Sequence, residues 1–200
     1  MSDNINLKLF YAAQAGRYDE VAGCISRGAD PAWTHHNGWS ALHEAALGGN
    51  VQVAELLLDH GWDMEARDMR TLTGDRPLHS AAEEGHIEVI QLLAARGAEI
   101  NCQASDKETP LHRAAAESQA AALQLLLRLG ADATIKNDDG WIPLHYAAAE
   151  GHVEVVQLLG EWQRQLRSAP RLPLRHQAAL YGPGPEEIEM ARRETEFLDS

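Results

Sequence analysis

The 200-residue sequence predicts an all-α repeat solenoid: stacked helix-turn-helix units joined by β-hairpin or finger loops. Three observations lead there. A Leu-His pair recurs at Leu42-His43, Leu78-His79, Leu111-His112 and Leu144-His145, with separations of 36, 33 and 33 residues. Each histidine leads into an alanine pair: Ala45-Ala46, Ala81-Ala82, Ala114-Ala115 and Ala147-Ala148. Six residues after each histidine stands Gly49, Gly85, Ser118 or Gly151, and twelve further on Gly61, Gly97 or Gly130. Self-similarity at this period means that one unit cannot bury its apolar face alone, so neighbours must stack.

In the first repeat, about 5–37, Leu9-Phe10-Tyr11-Ala12-Ala13, Gly16 and Gly28-Ala29-Asp30 keep the beat, with Phe10 in place of the histidine. Polar Asn4, Asn6 and Lys8 precede it, as suits a terminal unit facing water. Repeats two to five span about 38–73, 74–106, 107–139 and 140–169. Their short first helices open at Ala41, Pro77, Pro110 and Pro143; proline is tolerated in a first turn, and small alanines allow close approach. Their second helices carry Val51, Val53, Leu56 and Leu57; Ile87, Val89, Ile90, Leu92 and Leu93; Leu123, Leu125, Leu126 and Leu127; Val153, Val155, Val156, Leu158 and Leu159. These mix i+3 and i+4 spacings, the pattern of a wide buried face. Glycines after the second helices suit left-handed C-caps. Residues 1–169 thus form one repeat domain. In 170–200, His176-Gln177-Ala178-Ala179-Leu180-Tyr181-Gly182 returns out of step by two residues. We expect a C-terminal cap or degenerate sixth repeat, with a tether to a partner as the alternative, since an uncapped stack exposes apolar surface.

These blocks resemble the ankyrin repeat, whose unit of about 33 residues carries Thr-Pro-Leu-His-x-Ala. Thr109-Pro110-Leu111-His112-Arg113-Ala114 matches it fully; Ser40, Arg76 and Ile142 replace the threonine elsewhere, and Ala41 replaces one proline. The resemblance implies that His43, His79, His112 and His145 bond backbone between neighbouring repeats. It implies that fingers and first helices line a concave face, and that the chain binds protein there.

Composition narrows the partner. The net charge is −13, from 17 basic and 30 acidic residues. That argues against non-specific nucleic-acid binding, which needs lysine and arginine against phosphate. It favours a cationic partner, while an acidic surface also simply serves solubility; both readings stay open. Cys24 and Cys102 form no disulfide framework and read as reduced thiols of an intracellular protein. Residues 1–20 lack the basic start and apolar stretch of a signal peptide, and no run approaches 18 apolar residues. The expected setting is the cytoplasm, with nuclear entry left open, and the expected state is a monomer.

Chemistry finds little footing. Four of the ten histidines hold the repeat position, His86 and His152 follow the frame glycine, and His176 belongs to the degenerate unit. His35-His36 points to opposite sides of an extended finger, and no spacing matches a metal ligand set. No P-loop, nucleophile elbow or dinucleotide fingerprint is present. Gly182-Pro183-Gly184-Pro185 is a turn. No cofactor, metal or catalytic residue is expected, and the chain is read as a non-enzyme.

Position within the repeat maps the binding face. It gathers Asp75, Glu83, Glu84, Asp106, Glu108, Glu117, Asp138, Asp139 and Glu150, with His36 and Leu47. Trp39 and Trp141 share one repeat position, three repeats apart, and are the predicted anchors, since hot spots favour tryptophan; the competing reading is that each packs over its neighbouring finger. Carboxylates around them would steer a basic segment. Trp33, Trp62 and Trp162 are assigned to packing. The three-residue insertion at Asp68-Met69-Arg70-Thr71-Leu72-Thr73 projects a longer loop, with Met69 as a contact residue or the whole loop as neutral drift. Asn101, eight residues after Leu93, resembles the site of the asparaginyl hydroxylase that acts on ankyrin repeats, although asparagine there is also a common turn former. The alternative to a binding module for a basic segment is a regulatory inhibitor or targeting subunit of an enzyme.

Overall fold

The structure, a computed structural model, describes residues 4–35, 38–68 and 74–168, with side chains through 165. The chain divides into a unit ending at Leu159 and a second beginning at Gly160. Among the described residues there are ten helices: α1 (Ile5–Gln14), α2 (Tyr18–Ser26), α3 (Ala41–Leu47), α4 (Val51–Asp59), α5 (Pro77–Glu83), α6 (Ile87–Ala95), α7 (Pro110–Ala116), α8 (Ala120–Arg128), α9 (Pro143–Ala149) and α10 (Val153–Ser168). The first helices α1, α3, α5, α7 and α9 pack each on the next, and α2, α4, α6 and α8 form a second layer behind them. The predicted C-terminal cap lies outside the described residues.

The alanine pairs make the first layer possible. Ala12, Ala13, Ala45, Ala46, Ala81, Ala82, Ala114 and Ala115 have essentially no exposed surface, so neighbouring helices meet almost backbone to backbone. The repeat leucines Leu9, Leu42, Leu78 and Leu111 are equally buried. In the second layer one core position is filled by Cys24, Leu57, Leu93, Leu126 and Leu159, all fully buried. Cys24 is therefore a core filler, and Cys102 is likewise a buried free thiol.

Two hydrogen-bond ladders lock the repeats. In the first, the Nδ1 atoms of His43, His79, His112 and His145 accept from the backbone N–H at the start of their own helices, at Ser40, Arg76, Thr109 and Ile142. Accepting at Nδ1 leaves the proton on Nε2. Nε2–H of His43, His79 and His112 then donates to the carbonyls of Asp75, Glu108 and Trp141 in the next repeat, each at 3.1 Å. The second ladder runs through the residue after each frame glycine or serine. Asn50 and Gln119 donate from their amides to the carbonyls of Ala13 and Glu83. His86 and His152 donate from Nε2 to those of Leu47 and Ala116. These carbonyls sit at helix C-termini, where intrahelical partners run out.

The described finger residues are turns and extended chain without strand. Each loop is closed by one backbone bond: His35 N–H to Trp39 O, Ala104 to Glu108, and Asn137 to Trp141. In the second finger the pair is Asp68 to Asp75.

Candidate functional site

The fingers and first helices carry most of the predicted contact residues, which differ in exposure and in their internal partners. Trp39 requires a correction. It is 4% exposed, stacks on the His43 ring at 4.6 Å, and donates from Nε1 to Glu44 Oε1 at 2.8 Å. A ring so covered cannot anchor a partner. Trp141, in the same repeat position, is 40% exposed. The difference lies at the residue after the repeat histidine. Glu44 draws the Trp39 indole down over His43. In the last repeat that residue is Tyr146, which meets Trp141 edge-on at 5.2 Å. Tyr146 donates from its hydroxyl to Glu108 Oε1 and accepts from Asn137 Nδ2 at 2.9 Å, so the ring beneath Trp141 is held firmly. Burial, followed by the bond to Glu108, pushes the Tyr146 hydroxyl up to about 12. Trp33 and Trp62 pack as expected: Trp33 meets the Phe10 ring edge-on, and Trp62 is 4% exposed.

Glu108 is likewise not available to a partner, being 7% exposed. The sequence reading missed its partner, Arg113, the variable residue of the full Thr-Pro-Leu-His-x-Ala block. Arg113 lies 3.0 Å from Glu108 Oε2, 3.1 Å from Asp75 Oδ1 and 3.7 Å from Asp106 Oδ2. Burial alone would lower its pKa, but Asp75, Glu108 and Asp106 together raise it, so the guanidinium stays charged. Asp75, Glu108 and Asp106 are thus largely satisfied from within. Asp138 is paired with Lys107 at 2.6 Å, an exposed bridge of small energetic weight. Arg76 gathers Glu65 and Glu99 between adjacent fingers in the same way.

The rest of the face is more open. Glu84, Glu117, Asp139 and Glu150 are exposed. Glu83 is half-buried; burial, then the neighbouring carboxylates of Asp75, Glu117 and Glu84, raises its pKa against the pull of Arg113. Leu47 is partly exposed and its carbonyl already accepts from His86. His36 and Met69 lie outside the described residues. Asn101 is a staple: its Oδ1 accepts from Asp132 N–H at 2.8 Å and its Nδ2 donates to Gly130 O at 3.2 Å.

Behind the second layer, an open groove of about 460 Å³ is lined by Tyr18, Gln52, Glu55, Leu56 and Asp59. Glu55 and Asp59 there are turned to Arg96. Among the described residues no group of three or more His, Cys, Asp or Glu is placed to hold a metal, and no helix is long and apolar enough to cross a membrane. Burial pushes the Cys102 thiol up to about 12, which leaves it unreactive as a nucleophile.

Known proteins match this architecture. The chain is 37% identical over 72 residues to protein phosphatase 1 regulatory subunit 27 of Mus musculus, covering 36% of this chain and 45% of that protein. It is 57% identical over 37 residues to potassium channel AKT3 of Oryza sativa subsp. japonica, covering 18% of this chain and 4% of the channel. Potassium channel AKT1 of Oryza sativa subsp. indica matches at 48% over 44 residues, 22% of this chain and 5% of that one. The chain thus spans less than half the length of these curated relatives. The family model for ankyrin repeats matches residues 9–104 and 96–169, nearly the whole of the helical stack, with its histidine ladder and alanine-lined first layer, and this chain belongs to the ankyrin-repeat family.

Proposed function

We propose that the chain is a non-enzymatic binding module that holds an extended basic segment of a partner protein against Trp141 and the open carboxylates of the finger face. Ankyrin repeats are protein-interaction modules, and the coarse assignment follows from the family. What supports the finer reading is one observation: Trp141 is a 40% exposed indole propped on a fixed tyrosine, and among the described residues no acceptor meets its Nε1. Glu84, Glu117, Asp139 and Glu150 supply negative charge on the same face. Steering by such charge accelerates encounter and sets specificity, while an aromatic anchor supplies the affinity. The module acts as a cytoplasmic monomer and needs no cofactor.

A second reading is favoured by the likeness to a phosphatase regulatory subunit: binding here inhibits or targets an enzyme. The two readings share the surface and differ in the consequence.

The test is affinity capture with wild type and Trp141→Ala, each washed at low and high salt, then repeated with the purified partner. A partner lost in both the variant and high salt supports the reading. A partner that survives both places binding elsewhere on the stack. An enzyme among the captured proteins whose turnover changes on adding the purified chain selects the regulatory reading.

A further inference from the structure

The first repeat joins the second through fewer directed links than the junctions that follow. At those later junctions His43, His79 and His112 each donate from Nε2 to a carbonyl of the next repeat. His86, Gln119 and His152 each donate to a first-helix carbonyl of the repeat before. Two of the junctions add a staple between fingers. Glu65 Oε1 accepts from Glu99 N–H at 3.0 Å, and Asn101 Oδ1 accepts from Asp132 N–H at 2.8 Å.

At the first junction one of these three kinds of bond remains. Asn50 donates from Nδ2 to Ala13 O at 3.1 Å and to Gln14 O at 3.4 Å. Phe10 stands at the histidine position and has no donor; its ring stacks on His35 at 4.7 Å. Ala32, Glu65 and Asn101 stand at one finger position, four residues after Gly28, Gly61 and Gly97. Ala32 and Glu65 also close the same turn, each bonding from its N–H to the aspartate two residues back. The methyl group of Ala32 can accept nothing, so the staple has no counterpart here.

Ion pairs divide in the same way. Arg96 of α6 reaches Glu55 and Asp59 of α4, and Arg113 reaches Asp75 one repeat back. Among the described residues no ion pair crosses from the first repeat to the second. The second layer is open at this junction too. The groove of about 460 Å³ lies against Tyr18, at the head of α2, and Gln52, Glu55, Leu56 and Asp59 along α4. What remains is chiefly apolar: Leu9, Ala12, Ala13, Val21 and Cys24 share one core cluster with Leu42, Ala45, Val53 and Ala54.

We infer that the first repeat is an opening unit of its own: α1 and α2 come away together from α3 and α4 while α5 to α8 stay folded. In a stack whose stability sums repeat and nearest-neighbour terms, the weakest interface sets where it opens. Opening bares Leu42, Ala45, Val53 and Ala54, so the start of the stack alternates between a capped state and one with an apolar edge. The device is independent of the basic-segment reading, because it involves neither Trp141 nor the open carboxylates.

Hydrogen exchange of the full chain, followed by peptide mass spectrometry, tests it. Amides of α1 and α2 should share one level of protection, about tenfold or more below that of α5 to α8, the factor for the two missing bonds. Asn50→Ala should speed exchange in α1 and α2 by about three- to tenfold, the factor for one bond, and leave α5 to α8 unchanged. Ala32→Asn should do the reverse, because its new Oδ1 can accept from Asp63 N–H as Asn101 does from Asp132. Ala32 is exposed, so this variant keeps the fold. Equal protection from α1 to α8, moving together in every variant, would overturn the inference and make the stack one cooperative unit. A gradient falling toward Ile5, with α2 as protected as α5 to α8, would overturn it as simple end fraying. Rates in α1 and α2 that neither variant changes would overturn it too, since the junction bonds would then not control opening.

Discussion

Ser118 and Lys107 carry left-handed backbone at φ 57 and 63, where other repeats place glycine: Gly16, Gly49, Gly85 and Gly151 in the first position, Gly38, Gly74 and Gly140 in the second. A side chain there costs about 1–2 kcal/mol, and glycine returns about 0.4–1 kcal/mol of that as extra freedom of the unfolded chain. Ser118→Gly should therefore stabilise the protein by about 0.5 kcal/mol, raising Tm by about 2 °C. Thermal unfolding checks it, and a lower Tm would mean that the serine hydroxyl holds the turn. The frame that exposes this exception was legible in the sequence, since Ser118 breaks a row of glycines. The fates of Trp39 and Trp141 were harder to read. Both fill one repeat position, so position alone assigned them one role. What separates them is the neighbour five residues on, an acceptor at Glu44 and an aromatic at Tyr146. The reading assigned nine carboxylates to the binding face by repeat position alone, and Arg113 sat inside the signature block and was passed over as its variable residue. Its three carboxylate partners come from two different fingers, a convergence that only folding reveals.

Single helices and the ladders between them are where pH acts. His79 is fully buried and neutral, and burial lowers its pKa to about 4. The unfolded chain, near 6.5, takes up the proton first. Its contribution to stability is thus complete above about pH 6.5 and is lost as pH falls toward 4. From pH 7 to pH 5 this group alone removes roughly 2 kcal/mol. His112 is lowered too and acts in the same direction. Glu83, raised by burial, binds its proton more readily when folded and opposes them. The cleanest reading is therefore a difference: urea unfolding of wild type and His79→Asn at both pH values. The variant should be the weaker protein at pH 7 and show a flatter dependence on pH. Equal slopes would mean that His79 is not the group that titrates. The histidine ladder followed from the family resemblance. The second ladder did not, because Asn50, His86, Gln119 and His152 share spacing and chemistry but not identity. Each is a side-chain N–H donor placed to reach one repeat back, a pattern of function rather than of residue type.

Across the molecule, charge imposes two effects of opposite sign. The net charge of −13 repels itself over the length of the stack. Several of the basic residues are spent within the fold, with Arg76, Arg96 and Arg113 each gathering at least two carboxylates, so the open carboxylates have few cations left to answer them. Repulsion between exposed charges is long-range and is screened as the Debye length falls from about 30 Å at 0.01 M salt to about 10 Å at 0.1 M. The bridges of Arg76 and Arg113 are short and largely sheltered, with side chains 13% and 21% exposed, so they are screened less. Raising salt across that range should therefore raise Tm, by about 1 °C if the relief is a few tenths of a kcal/mol. The same addition should weaken capture of a basic segment, since attraction between partner and face is screened by the same ions. Stability and affinity moving in opposite directions in one salt series would show that a single charge distribution strains the free stack and steers its ligand. A Tm that falls with salt would mean that the internal bridges outweigh the repulsion. Arg113→Met, which removes three bridges and leaves Asp75, Asp106 and Glu108 without their cation, should then lower Tm at either salt concentration.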